Sequence, residues 1–292
     1  MRGRLPEWLR KPAAHPEAVT ALKRELRSLE LHTVCESARC PNLNECFHRG
    51  QATFMILGNL CTRGCGFCSV PKGSPEKREF SLDAEEPANV ARMAARMGLR
   101  YVVITSVNRD DLEDGGSHHF AETVREVRRA LPEARIEVLT PDFNGDLEAV
   151  DRVLDAGPDV FNHNMETVGR LYGRVRPQAD YGQSLAVLRH AKRRRPEALT
   201  KSGLMVGLGE THGEVRELLR DLRERGECDV ATVGQYLQPS RRNLPVMRYV
   251  PPEEYGEWRD YGMELGFRMV FAGPFVRSSY MADHVIDEAA WG

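Results

Sequence analysis

Short apolar runs recur along the chain, and each is followed by a stretch in which apolar residues repeat at helical spacing. Six such runs, which begin at positions 53, 100, 135, 158, 201 and 229, are TFMILG, RYVVIT, RIEVLT, PDVFNHN, KSGLMVGL and DVATVGQYL. Helical stretches such as EEPANVARMAARMG and GDLEAVDRVLDAG end at glycine, as helices commonly do. Strands that alternate with helices favour a parallel sheet. Six units in about 190 residues fit an α/β fold of the incomplete (β/α)6 barrel type better than a doubly wound sheet.

Both ends of the chain lie outside this repeat. Residues 6–30 carry leucines at helical spacing on a charged background, which is typical of an amphipathic helical arm. An extended run, FRMVFAGPFV, leads into the C-terminal tail. We therefore predict an N-terminal extension over residues 1–50, a partial barrel over residues 51–272 and a tail over residues 273–292.

Composition narrows the class of protein. The chain has 292 residues, of which 41% are hydrophobic and 29% charged, and its net charge is −2, so we expect a globular protein without a general attraction to nucleic acid or membrane. No apolar run approaches the ~18 residues that a membrane span needs. The first residues, MRGRLPEWLRKPAAHPEAV, lack the apolar segment of a secretory signal. We expect a cytoplasmic location, where thiols stay reduced.

The distribution of the cysteines indicates what chemistry the protein performs. The seven cysteines form two triads and one isolated residue: Cys35, Cys40 and Cys46; Cys61, Cys65 and Cys68; and Cys228. In a reducing compartment, clustered cysteines indicate metal binding or catalysis rather than disulfides. The isolated cysteine is typical of a small buried hydrophobic residue, and it precedes the sixth predicted strand, on the side opposite the expected site.

The second triad follows the first predicted strand directly. Its segment, CTRGCGFC, begins three residues after Gly58, and polar or glycine-rich segments follow the other strands in the same way. Those segments are SVNRDDLEDGG, NHNMET, KSG, GLGETHG and QPSRRN. Because catalytic residues of barrels gather at the carboxyl ends of the strands, this arrangement predicts one site at that mouth.

Three thiolates on one short loop match an iron–sulfur cluster better than a zinc ion. They can bind three irons of a [4Fe–4S] cluster and leave the fourth iron open to a small molecule. A structural zinc site closes with a fourth Cys or His at short spacing, but His48 is separated from the loop by a whole strand. The C-x3-C-x2-C spacing, with Phe67 before the last cysteine, is specific.

These motifs together resemble the lipoyl synthase family of radical S-adenosylmethionine enzymes. CESARCPNLNEC is similar to the family's C-x4-C-x5-C motif, and GNLCTRGCGFCSV is similar to its cluster loop. TSVNRDDLEDGG, NHNMETVGRLYGRVRP, TKSGLMVGLGE, GQYLQPSRRNLPV and RSSY also match, in order. The resemblance runs from about residue 30 to residue 282.

The resemblance implies an enzyme, a sulfurtransferase that inserts two sulfur atoms at C6 and C8 of a lysyl-linked octanoyl group. Cys61, Cys65 and Cys68 would hold a [4Fe–4S] cluster that cleaves S-adenosylmethionine and yields 5′-deoxyadenosyl radicals. A radical is needed because the C6 and C8 hydrogens have no acidity that a side-chain base could use, so the cofactor supplies the difficult step.

The resemblance also implies a second, auxiliary [4Fe–4S] cluster that donates its sulfur and is consumed. Cys35, Cys40 and Cys46 would supply three ligands, and a serine of RSSY the fourth. Because neighbouring side chains of an extended chain point in opposite directions, we expect only one of Ser278 and Ser279 to bind iron, and we assign Ser279. An oxygen ligand matches this soft cluster poorly, which suits a cluster that gives up its sulfide.

Seven further residues are assigned by the resemblance to S-adenosylmethionine: Thr105, Asn108, Arg109, Asp110, Asn164, Glu166 and Lys201. The first four follow the second predicted strand, where a solvated, capped loop is the alternative. Asn164 and Glu166 belong to NHNMET, and Lys201 is expected to face the barrel mouth. Arg277 would pair with a carboxylate of substrate or cofactor, or anchor the tail.

The resemblance implies protein partners as well. Octanoylated lipoyl carrier domains or the glycine cleavage H protein would present the substrate. A ferredoxin- or flavodoxin-type protein would donate electrons, and an iron–sulfur carrier would rebuild the consumed cluster. No nucleic acid or membrane partner is expected.

Two other classes stay open. One comprises other sulfur-inserting radical enzymes; biotin synthases lack the N-terminal triad, and methylthiotransferases add a nucleic-acid-binding domain, whereas this chain ends soon after its predicted barrel. The other is a zinc-binding structural protein, which would be colourless, whereas two iron–sulfur clusters would colour the protein brown.

Overall fold

The computed structural model describes residues 5–11, 16–75 and 81–283. It contains one eight-stranded sheet whose strand order follows the chain. The strands are β1 His32–Thr33, β2 Thr53–Ile56, β3 Tyr101–Ser106, β4 Arg135–Leu139, β5 Val160–Asn162, β6 Leu199–Val206, β7 Val230–Gln235 and β8 Met269–Gly273. Strands β2 to β8 are parallel, and β1 pairs antiparallel with β2 at one edge. Within the described ranges β1 and β8 are the edges, so hydrogen bonds do not close the barrel.

Helices connect the parallel strands, as the alternating pattern predicts. They are α1 Pro16–Ser28, α2 Val34–Ser37, α3 Leu43–His48, α4 Glu86–Arg96, α5 Ser117–Ala130, α6 Leu147–Asp155, α7 Tyr172–Val175, α8 Tyr181–Arg194, α9 His212–Glu224 and α10 Pro252–Glu264. Short 3-10 helices cover Glu7–Leu9, Phe143–Gly145 and Gly169–Leu171. The predicted α/β fold of the partial-barrel type is confirmed, and FRMVFAGPFV supplies β8, which adds a seventh parallel strand after six β/α units.

The sequences of the strands are nearly continuous apolar runs because both faces of each strand are covered. On β2, Phe54 and Ile56 are fully buried in the core with residues of α4 and α5, such as Met93 and Phe120. Met55, between them, lines a cavity inside the barrel. Alternate residues of one strand therefore build the outer core and the wall of the cavity.

Contacts between the N-terminal extension and the C-terminal tail fasten the two ends of the chain together. The Lys11 ammonium lies 2.7 Å from both Asn42 Oδ1 and Glu45 Oε2, and 4.6 Å from the centre of the Phe275 ring. Asn42 Nδ2 donates to the Phe275 carbonyl at 2.7 Å, and the Tyr280 hydroxyl donates to Glu45 Oε1 at 3.0 Å. We call these five residues the terminal clasp. Hydrogen bonding from Lys11 lowers the pKa of Glu45, so this carboxylate is ionised at neutral pH.

Within the described residues, the helices are too short or too polar to cross a membrane.

Candidate active site

A cavity of about 790 Å³ occupies the interior of the barrel, and both cysteine triads line it. Residues that follow β3, β4 and β5, such as Asn108, Thr140 and His163, line it at the carboxyl ends of the strands. Ser278 and Ser279 of the tail line it as well. The structure therefore brings both triads, the two tail serines and several of the predicted loop residues together around one cavity, whereas the segment GLGETHG lies outside its wall. The cavity also extends beyond the mouth, because residues at the start of several strands contribute to its wall.

The two triads lie at opposite ends of β2. Cys35 lies beside Thr53, the first residue of the strand. Cys61 and the rest of its loop follow Ile56, the last residue. Within the described ranges, no three His, Cys, Asp or Glu side chains converge as a single metal ion requires.

The loop of the second triad is fastened to neighbouring loops on two sides. The Gly66 amide donates to the Val175 carbonyl at 2.8 Å, and the Leu244 amide donates to the Gly66 carbonyl at 3.0 Å. Asn243 Nδ2 donates to the Cys68 carbonyl at 2.9 Å. A Cβ atom at Gly66 would lie 2.9 Å from the Leu244 side chain, so only glycine fits without movement of the neighbour. Backbone hydrogen bonds from loops after β5 and β7 thus hold the three cysteines in place.

The first triad is shaped by short helices and turns. Thr33 caps α2 by accepting a hydrogen bond from the Glu36 amide, which fixes the start of the segment that carries Cys35. The Cys40 amide donates to the Cys35 carbonyl at 3.0 Å. The Cys46 amide donates within α3 to the Asn42 carbonyl at 2.9 Å. The side chain of Asn42 belongs to the terminal clasp. The clasp is therefore attached to the start of α3, the helix that carries Cys46.

Burial controls the protonation of the thiols. Burial raises the pKa of Cys35, Cys46 and Cys68 to about 12 in each case, since a thiolate loses its hydration. These thiols are therefore protonated at neutral pH without iron, and cluster assembly must release their protons.

Cys228 lies where the sequence places it, away from the cavity. It is fully buried just before β7, and its thiol lies 3.3 Å from the Val230 carbonyl and 3.5 Å from the Thr200 carbonyl. Burial raises the pKa of this thiol to about 12. The residue packs as a hydrophobic side chain, as predicted.

The tail serines lie in a turn rather than in an extended chain. The Tyr280 amide donates to the Arg277 carbonyl at 3.0 Å, which closes a turn over Ser278 and Ser279. The rule that neighbouring side chains point in opposite directions therefore does not apply to these serines, because it holds only for extended backbone. Asn164 Nδ2 donates to Ser278 Oγ at 3.3 Å, whereas the Ser279 hydroxyl has no hydrogen-bond partner in the described part of the chain. This difference supports Ser279 as the free ligand.

Four of the seven side chains assigned to the cofactor line the cavity: Thr105, Asn108, Asn164 and Glu166. Glu166 has a φ of +65°, a strained backbone conformation for a side chain of this size. Its amide donates to the Gly203 carbonyl, and its carbonyl accepts from the Met205 amide, each at 2.9 Å. Strand β6 therefore holds a strained residue at the cavity wall, as functional sites often do.

The prediction that Lys201 faces the barrel mouth is wrong. Its ammonium lies 3.0 Å from Glu137 on β4, and both side chains are fully buried. Tyr101 and Asn162 donate the remaining hydrogen bonds to the same carboxylate, at 2.6 and 2.7 Å. A buried charge has to be paired, so Lys201 is committed to an ion pair inside the barrel, and it does not line the cavity.

Arg109 and Asp110 also lie outside the wall of the cavity. Arg109 is buried and pairs with Asp111 at 2.8 Å, and it donates to the Leu57 carbonyl. Asp110 pairs with Arg63 of the cysteine loop at 2.7 Å. The structure therefore places both residues in the scaffold behind the cavity, because each is engaged by an opposite charge.

At the ends of β3, β4 and β5, five buried polar atoms of cavity residues lack a hydrogen-bond partner within the described ranges: Ser106 Oγ, Asn108 Oδ1, Thr140 Oγ1, His163 Nε2 and Asn164 Oδ1. Arg176 Nε and Asp283 Oδ1, in other parts of the cavity wall, also lack one within those ranges. His163 Nδ1 faces the Thr140 carbonyl at 2.9 Å, and burial lowers the pKa of this imidazole to about 4. The ring is therefore neutral, with Nε2 as a free acceptor. Each unpaired group costs about 1–3 kcal/mol, which a polar ligand would relieve.

The donors and acceptors of S-adenosylmethionine fit this set of unpaired atoms. The cofactor carries an amino group, a carboxylate, ribose hydroxyls and an adenine ring, and the unpaired atoms cluster at the ends of β3, β4 and β5. Sequence reasoning did not assign Ser106 and Thr140. Their position directly at or after predicted strand ends was the available signal.

Comparisons with known proteins agree with this geometry. Residues 55–222 match the family model of the radical SAM superfamily, and residues 1–40 match that of the N-terminal domain of lipoyl synthase. A lipoyl synthase of Rubrobacter xylanophilus is 53% identical over 98% of this chain and 88% of that protein. A lipoyl synthase of Thermus thermophilus is 54% identical over 97% of this chain and 87% of that protein.

Solved structures give the same fold at low sequence identity. Methylornithine synthase (PylB) superposes with a TM-score of 0.50 at 14% identity, over 95% of this chain and 89% of that one. HydG, a maturase of the [FeFe]-hydrogenase, superposes with a TM-score of 0.57 at 15% identity, over 89% and 63%. These two likenesses concern the fold alone.

Proposed function

We propose a division of roles among the residues of this site from one premise: the chain belongs to the lipoyl synthase family of radical S-adenosylmethionine enzymes. It is a sulfurtransferase that inserts two sulfur atoms, at C6 and C8, into a protein-bound octanoyl group. It uses two [4Fe–4S] clusters and S-adenosylmethionine. When bound, the reduced cluster supplies the electron that cleaves S-adenosylmethionine to the hydrogen-abstracting radical.

Cys61, Cys65 and Cys68 hold the cluster that binds S-adenosylmethionine. Their loop follows β2 at the mouth of the barrel, and its backbone is fastened to the loops after β5 and β7. This support keeps the three cysteines in place, so that they would hold three irons of the cluster at the wall of the cavity. The unpaired oxygens of Asn108 and Asn164 and the carboxylate of Glu166 line the space next to the loop and orient the cofactor.

Cys35, Cys40, Cys46 and Ser279 hold the auxiliary cluster. The terminal clasp supports this assignment, because it joins the start of α3, between Cys40 and Cys46, to Phe275 and Tyr280 on either side of the two serines. The N-terminal extension over residues 1–50 thus contributes the thiols and the tail contributes the oxygen. Thiolate is the better ligand for iron in this soft cluster, so the serine corner is the weakest one.

The octanoyl chain binds between the two triads. Apolar side chains of β2, β3, β4 and β6 line the cavity between its polar ends: Met55, Val103, Leu139, Leu204 and Met205. A mostly apolar wall with a few polar groups is what a small-molecule site requires. The single observation that carries this proposal is that both triads and Ser279 line one cavity with the unpaired polar atoms.

The enzyme acts on lipoyl carrier proteins. We assign octanoylated lipoyl domains or the glycine cleavage H protein as the substrate carriers. Electrons come from a ferredoxin- or flavodoxin-type donor, and an iron–sulfur carrier rebuilds the auxiliary cluster. A cytoplasmic location is part of this proposal.

An anaerobic assay tests the proposed function. The reconstituted protein is incubated with an octanoyl-lysyl peptide, S-adenosylmethionine and a reductant, and the products are separated by mass. We expect lipoyl-lysyl peptide together with 5′-deoxyadenosine. A colourless protein that binds zinc and forms neither product would refute the proposal.

A further inference from the structure

Arg63 lies between two cysteines of the cluster loop, yet its guanidinium faces away from solvent. The side chain is only 3% exposed. Its donors bind three side chains: Asp110 at 2.7 and 2.8 Å, Asp142 at 3.0 and 2.8 Å, and Asn144 at 2.6 Å. The two carboxylates are each bound through two oxygens. This planar, two-pronged geometry is specific to arginine, since an ammonium cannot reproduce it.

The partners of Arg63 come from two different strand ends. Asp110 follows β3 and Asp142 follows β4, whereas the cluster loop follows β2. Although burial opposes ionisation, hydrogen bonds from Arg63 help to hold the pKa of Asp142 at about 2. One arginine therefore joins three loops at the mouth of the barrel.

The segment that Arg63 holds touches a cluster ligand. The Asn108 amide lies 3.4 Å from Cys61 Sγ, within the range of an N–H to sulfur hydrogen bond. The Thr62 amide donates to the Asn108 carbonyl at 3.0 Å, and the Asp110 amide donates to the Thr62 hydroxyl at 3.2 Å. Hydrogen bonds to the sulfurs of an iron–sulfur cluster help to set its reduction potential.

We propose that Arg63 is a positioning residue that holds the Asn108 amide against the Cys61 sulfur and thereby sets the reduction potential of the radical cluster. The inference rests on the proposed function in one respect, namely that Cys61 binds iron. An N–H donor at sulfur stabilises the more negative, reduced state of a cluster. Loss of Arg63 therefore makes the potential more negative, so that reduction and cofactor cleavage slow without loss of iron.

The first arm of the test needs no cluster. Hydrogen–deuterium exchange is measured over residues 105–112 in the iron-free protein, for the wild type and for Arg63→Lys. We expect roughly tenfold faster exchange in the variant, because the segment loses its fork of hydrogen bonds. The control is Arg128→Lys, which breaks the pair with Asp159 beside β4 and β5, at their starting ends. Unchanged exchange in Arg63→Lys would overturn the proposal.

The second arm measures the midpoint potential of the reconstituted enzyme by a redox titration that follows electron paramagnetic resonance. The signal that changes on addition of S-adenosylmethionine is assigned to the radical cluster. Arg63→Lys keeps the positive charge but not the geometry, and we expect a full iron content with a more negative potential. A wild-type potential in Arg63→Lys, with a shift only in Arg63→Met, would show that charge alone matters and would refute positioning.

A third variant keeps the proposal testable if Arg63 variants do not fold. Asp142→Asn removes a negative charge, which by itself would raise the potential of a nearby cluster. Because the substitution also loosens Arg63, positioning predicts a more negative potential, and an unchanged or higher one would overturn it. Failure of the proposed function looks different. In that case the Cys61→Ala variant would keep the signal that responds to S-adenosylmethionine, while the exchange result in iron-free protein would stand.

Discussion

The two cysteine triads occupy one cavity but are supported in different ways. The loop with Cys61, Cys65 and Cys68 follows the first parallel strand, β2, and is fastened by backbone hydrogen bonds and by a buried arginine with two carboxylates. The first triad stands on two short helices outside the barrel repeat. The tail serine that we propose as its fourth ligand is held by the terminal clasp, in which the Lys11 and Glu45 side chains are 25% and 31% exposed.

This difference matches the roles of the two clusters. A cluster that generates radicals in every turnover has to keep its geometry and potential, and rigid barrel loops provide both. A cluster that is consumed has to be taken apart and rebuilt. Exposed ion pairs contribute only about 0–1 kcal/mol each, so the clasp can be opened at little cost. We infer that the barrel holds the cluster that is kept through turnover. The two ends of the chain hold the cluster that is replaced.

Removal of the barrel triad should have the largest effect. Two [4Fe–4S] clusters predict about eight irons per chain. In the variant with Cys61, Cys65 and Cys68 all changed to alanine, we expect about half of that iron and no cleavage of S-adenosylmethionine. Iron analysis and quantification of 5′-deoxyadenosine provide the measurement. Continued production of 5′-deoxyadenosine would place the radical site elsewhere.

Removal of the first triad should separate the two roles. With Cys35, Cys40 and Cys46 all changed to alanine, we again expect about half of the iron, by the same stoichiometry. Because the barrel loop does not depend on these residues, 5′-deoxyadenosine should still form, but no carbon–sulfur bond. Cys228→Ala is the matched control, since that thiol is buried outside the cavity. A lipoyl product from the triple variant would show that the first triad does not hold the sulfur donor.

Substitution of the tail serine should give a smaller and more selective effect. In Ser279→Cys a thiolate replaces the oxygen, so we expect full iron, normal cofactor cleavage and roughly tenfold slower sulfur insertion, because the labile corner is closed. Ser279→Ala removes one ligand atom with little volume, so folding should suffer only modestly. The Ser278 variants are the matched controls and should be milder. A larger loss at Ser278 would show that the ligand is the other serine.

The terminal clasp should have the smallest effect. Lys11→Met removes a part-exposed ion pair, and we expect a loss of unfolding free energy of about 1 kcal/mol or less. The auxiliary cluster should lose iron faster than in the wild type under a chelator, whereas the barrel cluster should not. Lys11→Arg keeps the charge and should restore part of the protection. Equal loss of iron from both clusters would mean that the clasp stabilises the whole fold rather than one triad.

The comparison also shows which features a sequence can predict. The barrel was predictable because β2 to β7 are apolar runs bounded by polar or glycine-rich segments, a local signal. The loop of Cys61 to Cys68 was predictable for the same reason, since three ligands within eight residues constrain each other directly. The first triad was recognisable by its spacing, but its surroundings depend on contacts such as that between Asn42 and Phe275, which are 233 residues apart.

The predictions that the structure corrects failed for the same reason, namely that they concern contacts which the local sequence does not indicate. Lys201 pairs with Glu137 across the barrel, 64 residues away, and no pattern around Lys201 indicates that partner. Asp110 and Arg109 lie in a motif that follows a strand, but their direction is set by Arg63 and Asp111. The serine turn depends on a single hydrogen bond between Tyr280 and Arg277, which an assumption of extended chain could not anticipate.

Tracing the sulfur atoms tests most directly which of the two clusters donates them. The enzyme is reconstituted with iron and isotopically heavy sulfide, freed of excess sulfide, and allowed one turnover with an octanoyl-lysyl peptide in buffer that contains light sulfide. If the cluster of Cys35, Cys40, Cys46 and Ser279 is the donor, mass spectrometry should find two heavy sulfur atoms in the lipoyl product, and iron should be lost from that cluster alone. A product with light sulfur, or loss of iron from the barrel cluster, would contradict the division of roles between the two triads.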